Sequence, residues 1–88
     1  MDIQEILLKV KRANRITDDY SDEVLIELIE QVIEDLIGMG VSREIVTSRM
    51  SIGAIARGVW EKDNLHQYTQ DFLINEVNRL RNQTINEE

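Results

Sequence analysis

The longest helical pattern of this chain lies between Ser21 and Gly40. Its apolar positions recur at steps of three and four residues and cover well over half of the helical circumference. These positions are Val24, Leu25, Ile26, Leu28, Ile29, Val32, Ile33, Leu36 and Ile37. A serine side chain can cap a helix start, and Gly38 and Gly40 readily adopt the left-handed conformation that ends one. The pattern predicts a central helix over residues 21–37.

The apolar stripe of this helix is wider than one packing face requires. One interpretation is that the rest of the chain contacts the helix on two sides. The other is that one flank meets a neighbouring subunit, because a chain of 88 residues buries only about 60 to 65% of its unfolded surface. For such an intersubunit contact the predicted residues are Leu25, Ile29, Ile33 and Trp60. Trp60 itself is predicted to be a core or interface anchor.

Three further helices are predicted, over residues 2–14, 42–62 and 69–81. Asp2 and Glu5 have capping-box spacing, Ser42 opens the third segment and Thr69 caps the last helix. In the last helix the residues predicted to face inward are Phe72, Leu73, Val77 and Leu80. The polar stretch 61–67 is predicted to be a loop. The sequence therefore predicts an all-α domain of four helices over residues 1–81, followed by a flexible tail over 82–88.

The middle of the third segment is rich in small residues. Met50, Ala54 and Gly58 follow one another at four-residue steps, and Gly53 lies beside them. Each interior glycine costs a helix about 1 kcal/mol relative to alanine. Close approach of another backbone would offset that cost, whereas a break in the helix near Gly53 or Gly58 is the competing explanation.

Charge is unevenly distributed along the chain, whose formal net charge is −7. Residues 18–35 contain eight acids and no Lys or Arg, and the preceding basic cluster consists of Lys9, Lys11, Arg12 and Arg15. Such segregation suits head-to-tail contacts between copies. It equally fits a solvated acidic helix face beside basic residues at a helix C-terminus.

Candidate chemistry is scarce. The chain has no cysteine and a single histidine, His66, so neither a disulfide framework nor a Cys-His nucleophile is available. Asp18, Asp19 and Asp22 do not form a calcium loop, because apolar residues follow where glycine and oxygen ligands are required. The sequence predicts no catalytic, metal or cofactor site and no enzymatic activity. With no apolar run of membrane-spanning length and no basic leader, we expect a cytosolic protein without membrane contact.

The chain resembles the small head-tail connector proteins of tailed bacteriophages, also called head-completion or adaptor proteins. The best portion is LKVKRANRITDDYSDEVLIELIEQVIEDLIGMGV, residues 8–41. It is similar to the family's basic first-helix end, its RI(T/S)-x-D motif, its D-E pair and its DL-x-x-x-G-(V/I) helix exit. YTQDFLINEVNRLR, residues 68–81, is similar to its closing helix. The chain departs from many members at Gly53, Ala54, Ala56 and Gly58, where bulkier residues are common.

The resemblance implies a structural subunit that docks as a ring, commonly twelvefold, beneath the portal at the capsid vertex. Such a ring extends the DNA channel and carries the next neck, stopper or tail-completion protein. DNA passes through without sequence-specific binding. The protein would be made in the host bacterial cytoplasm and would reside in the virion neck.

Two groups of residues receive roles in this hypothesis. The acids expected to face the channel, where like charge keeps DNA sliding, are Glu27, Glu30 and Glu34. The residues expected to contact the portal are Arg79, Arg81 and Ile85.

Two alternatives belong to other classes of protein. A small acidic regulator would use residues 18–35 to bind a basic protein partner. A helix-turn-helix DNA binder would use the turn at Gly38 to Gly40, although the acidic preceding helix opposes phosphate attraction.

Overall fold

The computed structural model describes residues 1–15 and 21–83. These form a bundle of α-helices without a β-strand in the described ranges, which confirms the predicted all-α class. The helices are α1 (Ile3–Ala13), α2 (Asp22–Gly38), α3 (Arg43–Val46), α4 (Ile52–Leu65) and α5 (Val77–Arg81). A 3₁₀ turn (Arg49–Ser51) precedes α4, and a π-helical segment (Phe72–Glu76) leads into α5.

The predicted helix starts are confirmed by side-chain caps. Asp2 accepts a hydrogen bond from the Glu5 amide at 2.9 Å, and Ser21 accepts one from the Val24 amide at 3.2 Å. Ser42 and Thr69 cap the first turns that follow them in the same way. Each bond satisfies an amide that has no partner within its own helix.

The end of α2 is a Schellman motif centred on Gly40, whose φ is +100°. The Val41 amide donates to the Leu36 carbonyl and the Gly40 amide to the Ile37 carbonyl, both at 3.0 Å. Val41 and Leu36 are also buried against the core, as is usual beside this motif. Of the two glycines predicted to end the helix, Gly40 adopts the left-handed conformation and Gly38 remains helical.

The core lies where α2 packs on both α1 and α4. The largest fully buried side chains are Phe72, Ile6, Leu25, Ile29, Leu36, Ile55 and Leu80. The wide stripe of α2 is therefore covered largely by the chain itself, as the first interpretation of its width proposed. Val24, at the start of α2, remains exposed.

The single helix predicted over residues 42–62 is wrong in one respect, because the chain breaks between α3 and α4. Side-chain hydroxyl groups donate hydrogen bonds to backbone carbonyls there. Thr47 donates to the Arg43 carbonyl, Ser48 to that of Ile45, and Ser51 to that of Val46. The N-terminal ammonium also donates to the Thr47 carbonyl at 2.8 Å. These local bonds compete with helical ones, so the break lies before Gly53 rather than at either glycine.

The predicted loop over residues 61–67 is also wrong, since α4 continues to Leu65. His66, with φ of +59°, ends it. In the last helical region the Val77 amide donates to the Phe72 carbonyl, an i to i+5 bond. This wide turn places Phe72 and Val77 on one buried face and leaves Leu73 exposed, contrary to its predicted inward position.

Candidate functional site

An open groove lies between the C-terminal half of α1 and the exposed side of α4. Its floor is made of small residues, among them Ala13, Gly53 and Ala56. The Asn14 side-chain amide donates to the Ala56 carbonyl at 2.9 Å and joins the end of α1 to α4. The close approach predicted at Gly53 is not found, because a Cβ added there would meet no atom within 4 Å. Gly53 is instead part of an open surface.

Beside Ala13 the groove adjoins a second depression, which is cationic. Lys9, Arg12 and Arg49, which we call the cationic rim, surround Ala13 and Ile52. Within residues 1–15 and 21–83 none of the three forms an ion pair. Among the residues that the structure describes, the rim is therefore a concentration of positive charge without an ion-pair partner, on a chain whose net charge is −7.

One end of the groove itself is apolar. Trp60 and Leu65 line it, and they are 48% and 44% exposed respectively. A half-exposed tryptophan beside a depression is the type of residue that anchors protein interfaces. Trp60 is thus not the core residue that one reading of the sequence allowed.

A hydrogen-bonded clasp built on the buried carboxylate of Glu61 holds this end of the groove. Glu61 accepts from the Thr69 amide at 2.7 Å, from the Thr69 hydroxyl at 3.0 Å and from Arg57 Nε at 2.9 Å. Arg57 also pairs with Asp71 at 2.7 Å. Burial alone would raise the pKa of Glu61, but these donors outweigh it and hold the pKa below its usual value of 4.5. The clasp fixes α4 to the start of the last helical region.

A second polar cluster joins α2, α4 and Tyr68. Asp35 accepts from the Tyr68 hydroxyl at 2.6 Å and pairs with Lys62 at 2.8 Å. Burial and the hydrogen bond to Asp35 raise the pKa of Tyr68. The Tyr68 ring stacks on Phe72 with a centroid distance of 4.7 Å. Every polar group here has a partner, so the cluster reads as structural support for the packing of α2 on α4.

The exposed side of α2 carries an acidic ridge, defined as Glu23, Glu27, Glu30 and Glu34. All four side chains are exposed. Glu34 makes one loose contact with Arg43 at 3.7 Å, in which both side chains are 68% exposed. Exposed pairs of this kind contribute little to stability, so the ridge keeps its negative charge available to a partner.

The structure separates the four residues predicted for an intersubunit contact. Leu25 and Ile29 are 1% and 0% exposed and Ile33 is 8% exposed. Their side chains are used within the chain's own core, because the neighbouring helices already cover them. Only Trp60 presents surface to a second subunit, so the contact stays a prediction that now depends on Trp60.

The residues predicted for channel and portal contact lie at the surface where they are described. Glu27, Glu30 and Glu34 belong to the acidic ridge. Arg79 pairs with Glu76 at 2.9 Å, and Arg81 is exposed and crosses the turn at Gly40. Ile85 lies outside the described residues. These roles stay predictions.

Sequence reasoning missed the groove, since its two walls are 40 residues apart in the chain. The spacing of Gly53, Ala56 and Trp60 is helical and is a signal for it, but of these three only Gly53 belongs to the predicted close approach. In the described part of the chain no group of acids and histidine is arranged to hold a metal ion. No helix there has the length and apolar content to cross a bilayer.

Comparison with known proteins adds no assignment: no family model, no curated protein and no solved structure matches this chain.

Proposed function

We propose that this chain is a structural subunit of the head-tail connector of a tailed bacteriophage or prophage. It would dock as a ring beneath the portal, extend the DNA channel and carry the next neck or tail protein. The proposal assigns it no reaction and no cofactor, and places it in the virion neck after synthesis in the host cytoplasm.

One observation carries this proposal beyond the resemblance of residues 8–41. A small all-α chain presents two exposed surfaces of opposite charge, the cationic groove and the acidic ridge of α2. Surfaces that differ in this way favour heterologous contacts, which close into a ring when the rotation between copies permits. Such an assembly supports a structural role.

The acidic ridge can face one of two surfaces in such a ring. It lines the channel, where like charge keeps DNA from sticking within a screening length of about 8 to 10 Å, or it meets the neighbouring copy. The portal contact is assigned to Arg79, Arg81 and the chain end that contains Ile85.

The test is native mass spectrometry of the folded chain mixed with the assembled portal protein of the same phage or prophage. We expect about twelve copies on one portal ring, the number that the resemblance to connector proteins implies, arranged with closed symmetry. A variant truncated after Arg81 should bind the portal less tightly. Absence of any association with an assembled portal would contradict the proposal.

The exposed acidic ridge favours a second candidate, a regulator that binds a basic protein partner. In that case the chain would compete with duplex DNA for the partner, and Glu27→Lys with Glu30→Lys would abolish the competition. Binding to the portal would be absent.

A further inference from the structure

The groove between α1 and α4 has the composition of a site for an acidic amphipathic helix. Its cationic rim would pair with carboxylates at one end, and Trp60 with Leu65 would cover apolar side chains at the other. The small floor residues allow a helix to approach closely. Recognition of an amphipathic helix in a groove depends on anchors at helical spacing.

A face with the complementary composition is present on the exposed side of α2. Val24 is 44% exposed. The acidic ridge follows the neighbouring strip of the helix, with Glu27 about 60° from Val24 around the helix axis. Its members Glu27 and Glu30 are three residues apart, as are Lys9 and Arg12 of the rim, so their charges repeat at matching intervals along the two helices.

The two surfaces also agree in length. At a rise of about 1.5 Å per residue, Val24 and Glu34 are separated by about 15 Å along α2. Trp60 and Arg49 are separated by about 18 Å along α4 and the 3₁₀ turn before it. An apolar anchor at one end and a charged group at the other can therefore pair simultaneously.

Within one chain the two surfaces cannot meet. α2 packs on α1 and α4 through its opposite side, where Leu25, Ile29 and Val32 are buried. Glu30 and Glu34 of the ridge line a separate depression beside the N-terminal half of α1, whereas the groove lies at its C-terminal end. The partner groove of the ridge must therefore belong to another molecule.

We infer that the groove of one copy binds the acidic ridge of a second copy. Val24 of the ridge side would contact Trp60 of the groove. Glu27 and Glu30 of the ridge would pair with Lys9 and Arg12 of the rim. The contact is heterologous, so each copy keeps a free groove on one side and a free ridge on the other until a ring closes. This inference deepens the proposed function, on which it rests for its biological setting, but the contact is measurable on the isolated chain. It assigns the ridge to the neighbouring copy rather than to the channel.

The test is a charge exchange between two variants. The groove variant carries Lys9→Glu and Arg12→Glu, and the ridge variant carries Glu27→Lys and Glu30→Lys. Sedimentation would measure the self-association of each alone and of an equimolar mixture, in about 50 mM salt where screening is weak. Glu44→Lys, an exposed acid of α3 outside the ridge, is the control, and circular dichroism verifies that every variant folds.

We expect each charge variant alone to associate at least about a hundredfold more weakly than the natural chain, because like charges then face each other. The mixture should recover association to within about tenfold, since each acidic groove finds a basic ridge. Trp60→Ala should weaken association about tenfold or more through loss of the anchor. Glu44→Lys should leave it unchanged.

Three results would overturn the inference: a natural chain that stays monomeric at about 1 mM under these conditions, association that ignores both charge variants, or a mixture no stronger than its components. Binding of a single-stranded oligonucleotide that only the groove variant loses, without self-association, would identify nucleic acid as the occupant instead.

The portal experiment separates this inference from the proposed function. A portal-bound ring that tolerates both charge variants would refute the groove contact and leave the connector proposal standing. If the two charge variants associate with each other in solution but the natural chain does not bind the portal, the groove contact would stand and the connector proposal would be refuted.

Discussion

The two sides of α4 contain the same residue type in opposite surroundings. A Cβ added at Gly58 would lie 2.8 Å from Val32 Cγ1 and 3.3 Å from Phe72 Cζ, whereas one added at Gly53 meets nothing within 4 Å. Gly58 therefore permits close packing that offsets its low helix propensity, and Gly53 has no such compensation. The difference indicates that one side of α4 packs in the core and the other side is open surface.

The aromatic residues of these two sides provide the largest contrast. Phe72 is fully buried against the packed side, and Phe72→Ala should lower the free energy of unfolding by about 3 to 5 kcal/mol through the cavity it leaves. Trp60→Ala should lower it by less than about 1 kcal/mol, because the indole is half exposed. Urea denaturation of both variants measures this. Equal losses of unfolding free energy in the two variants would contradict the division of α4 into a packed side and an open side.

Glu61 joins the two sides, and its clasp should make stability depend on pH. The pKa of Glu61 is lower in the folded chain than its usual 4.5, so its stabilisation is complete above that value and is lost as the pH falls through the folded pKa. Glu61→Gln should cost about 2 kcal/mol at neutral pH, by weakening charge-assisted hydrogen bonds. The gap between the natural chain and the variant should then narrow below about pH 4.5.

Denaturation curves of both chains between neutral pH and about pH 3 would measure this gap. The pKa values of Asp35 and Asp71 are also lowered by their partners, so both chains should lose stability in acid. Only the difference between them reports on Glu61. A gap that stays constant over this range would show that the clasp does not depend on the charge of Glu61.

The smallest expected effect comes from replacing each of the two glycines of α4 by alanine. This comparison is the most direct, because the same substitution is made on both sides of one helix. Gly58→Ala should lower the free energy of unfolding by about 1 to 2 kcal/mol through overpacking against Val32. Gly53→Ala should raise it by up to about 1 kcal/mol, since nothing opposes the gain in helix propensity. Thermal unfolding of the pair measures the two signs. A loss at Gly53 would mean that this side of α4 is not an open surface.

Local patterns predicted much of the fold correctly. Asp2, Ser21, Ser42 and Thr69 cap the helices they were assigned to, because a cap depends on residues only three positions apart. The end of α2 at Gly40 follows from the same local chemistry. The acidic side of α2 was also visible in the sequence, since helical spacing places Glu27, Glu30 and Glu34 together.

Long-range partners decided the rest. Residues 61–64 are polar and belong to the stretch 61–67 that the sequence predicts to be a loop. Glu61 and Lys62 are nevertheless helical, because Thr69 and Arg57 bind Glu61 and Asp35 binds Lys62. The exposure of Leu73 depends on the i to i+5 bond that the packing of Phe72 favours. No local pattern contains these contacts.

By itself, the sequence determined the helical class, the capped helix starts at Asp2, Ser21, Ser42 and Thr69, and the segregation of charge, because all three depend on residues close together in the chain. Tertiary structure alone decided that Leu25, Ile29 and Ile33 are core residues and that Trp60 is surface. It also decided that Lys9, Arg12 and Arg49 meet at a depression beside the groove. The reason is physical: burial and grooves arise where distant helices pack, and which flank of a wide apolar stripe is covered depends on the geometry of its neighbours.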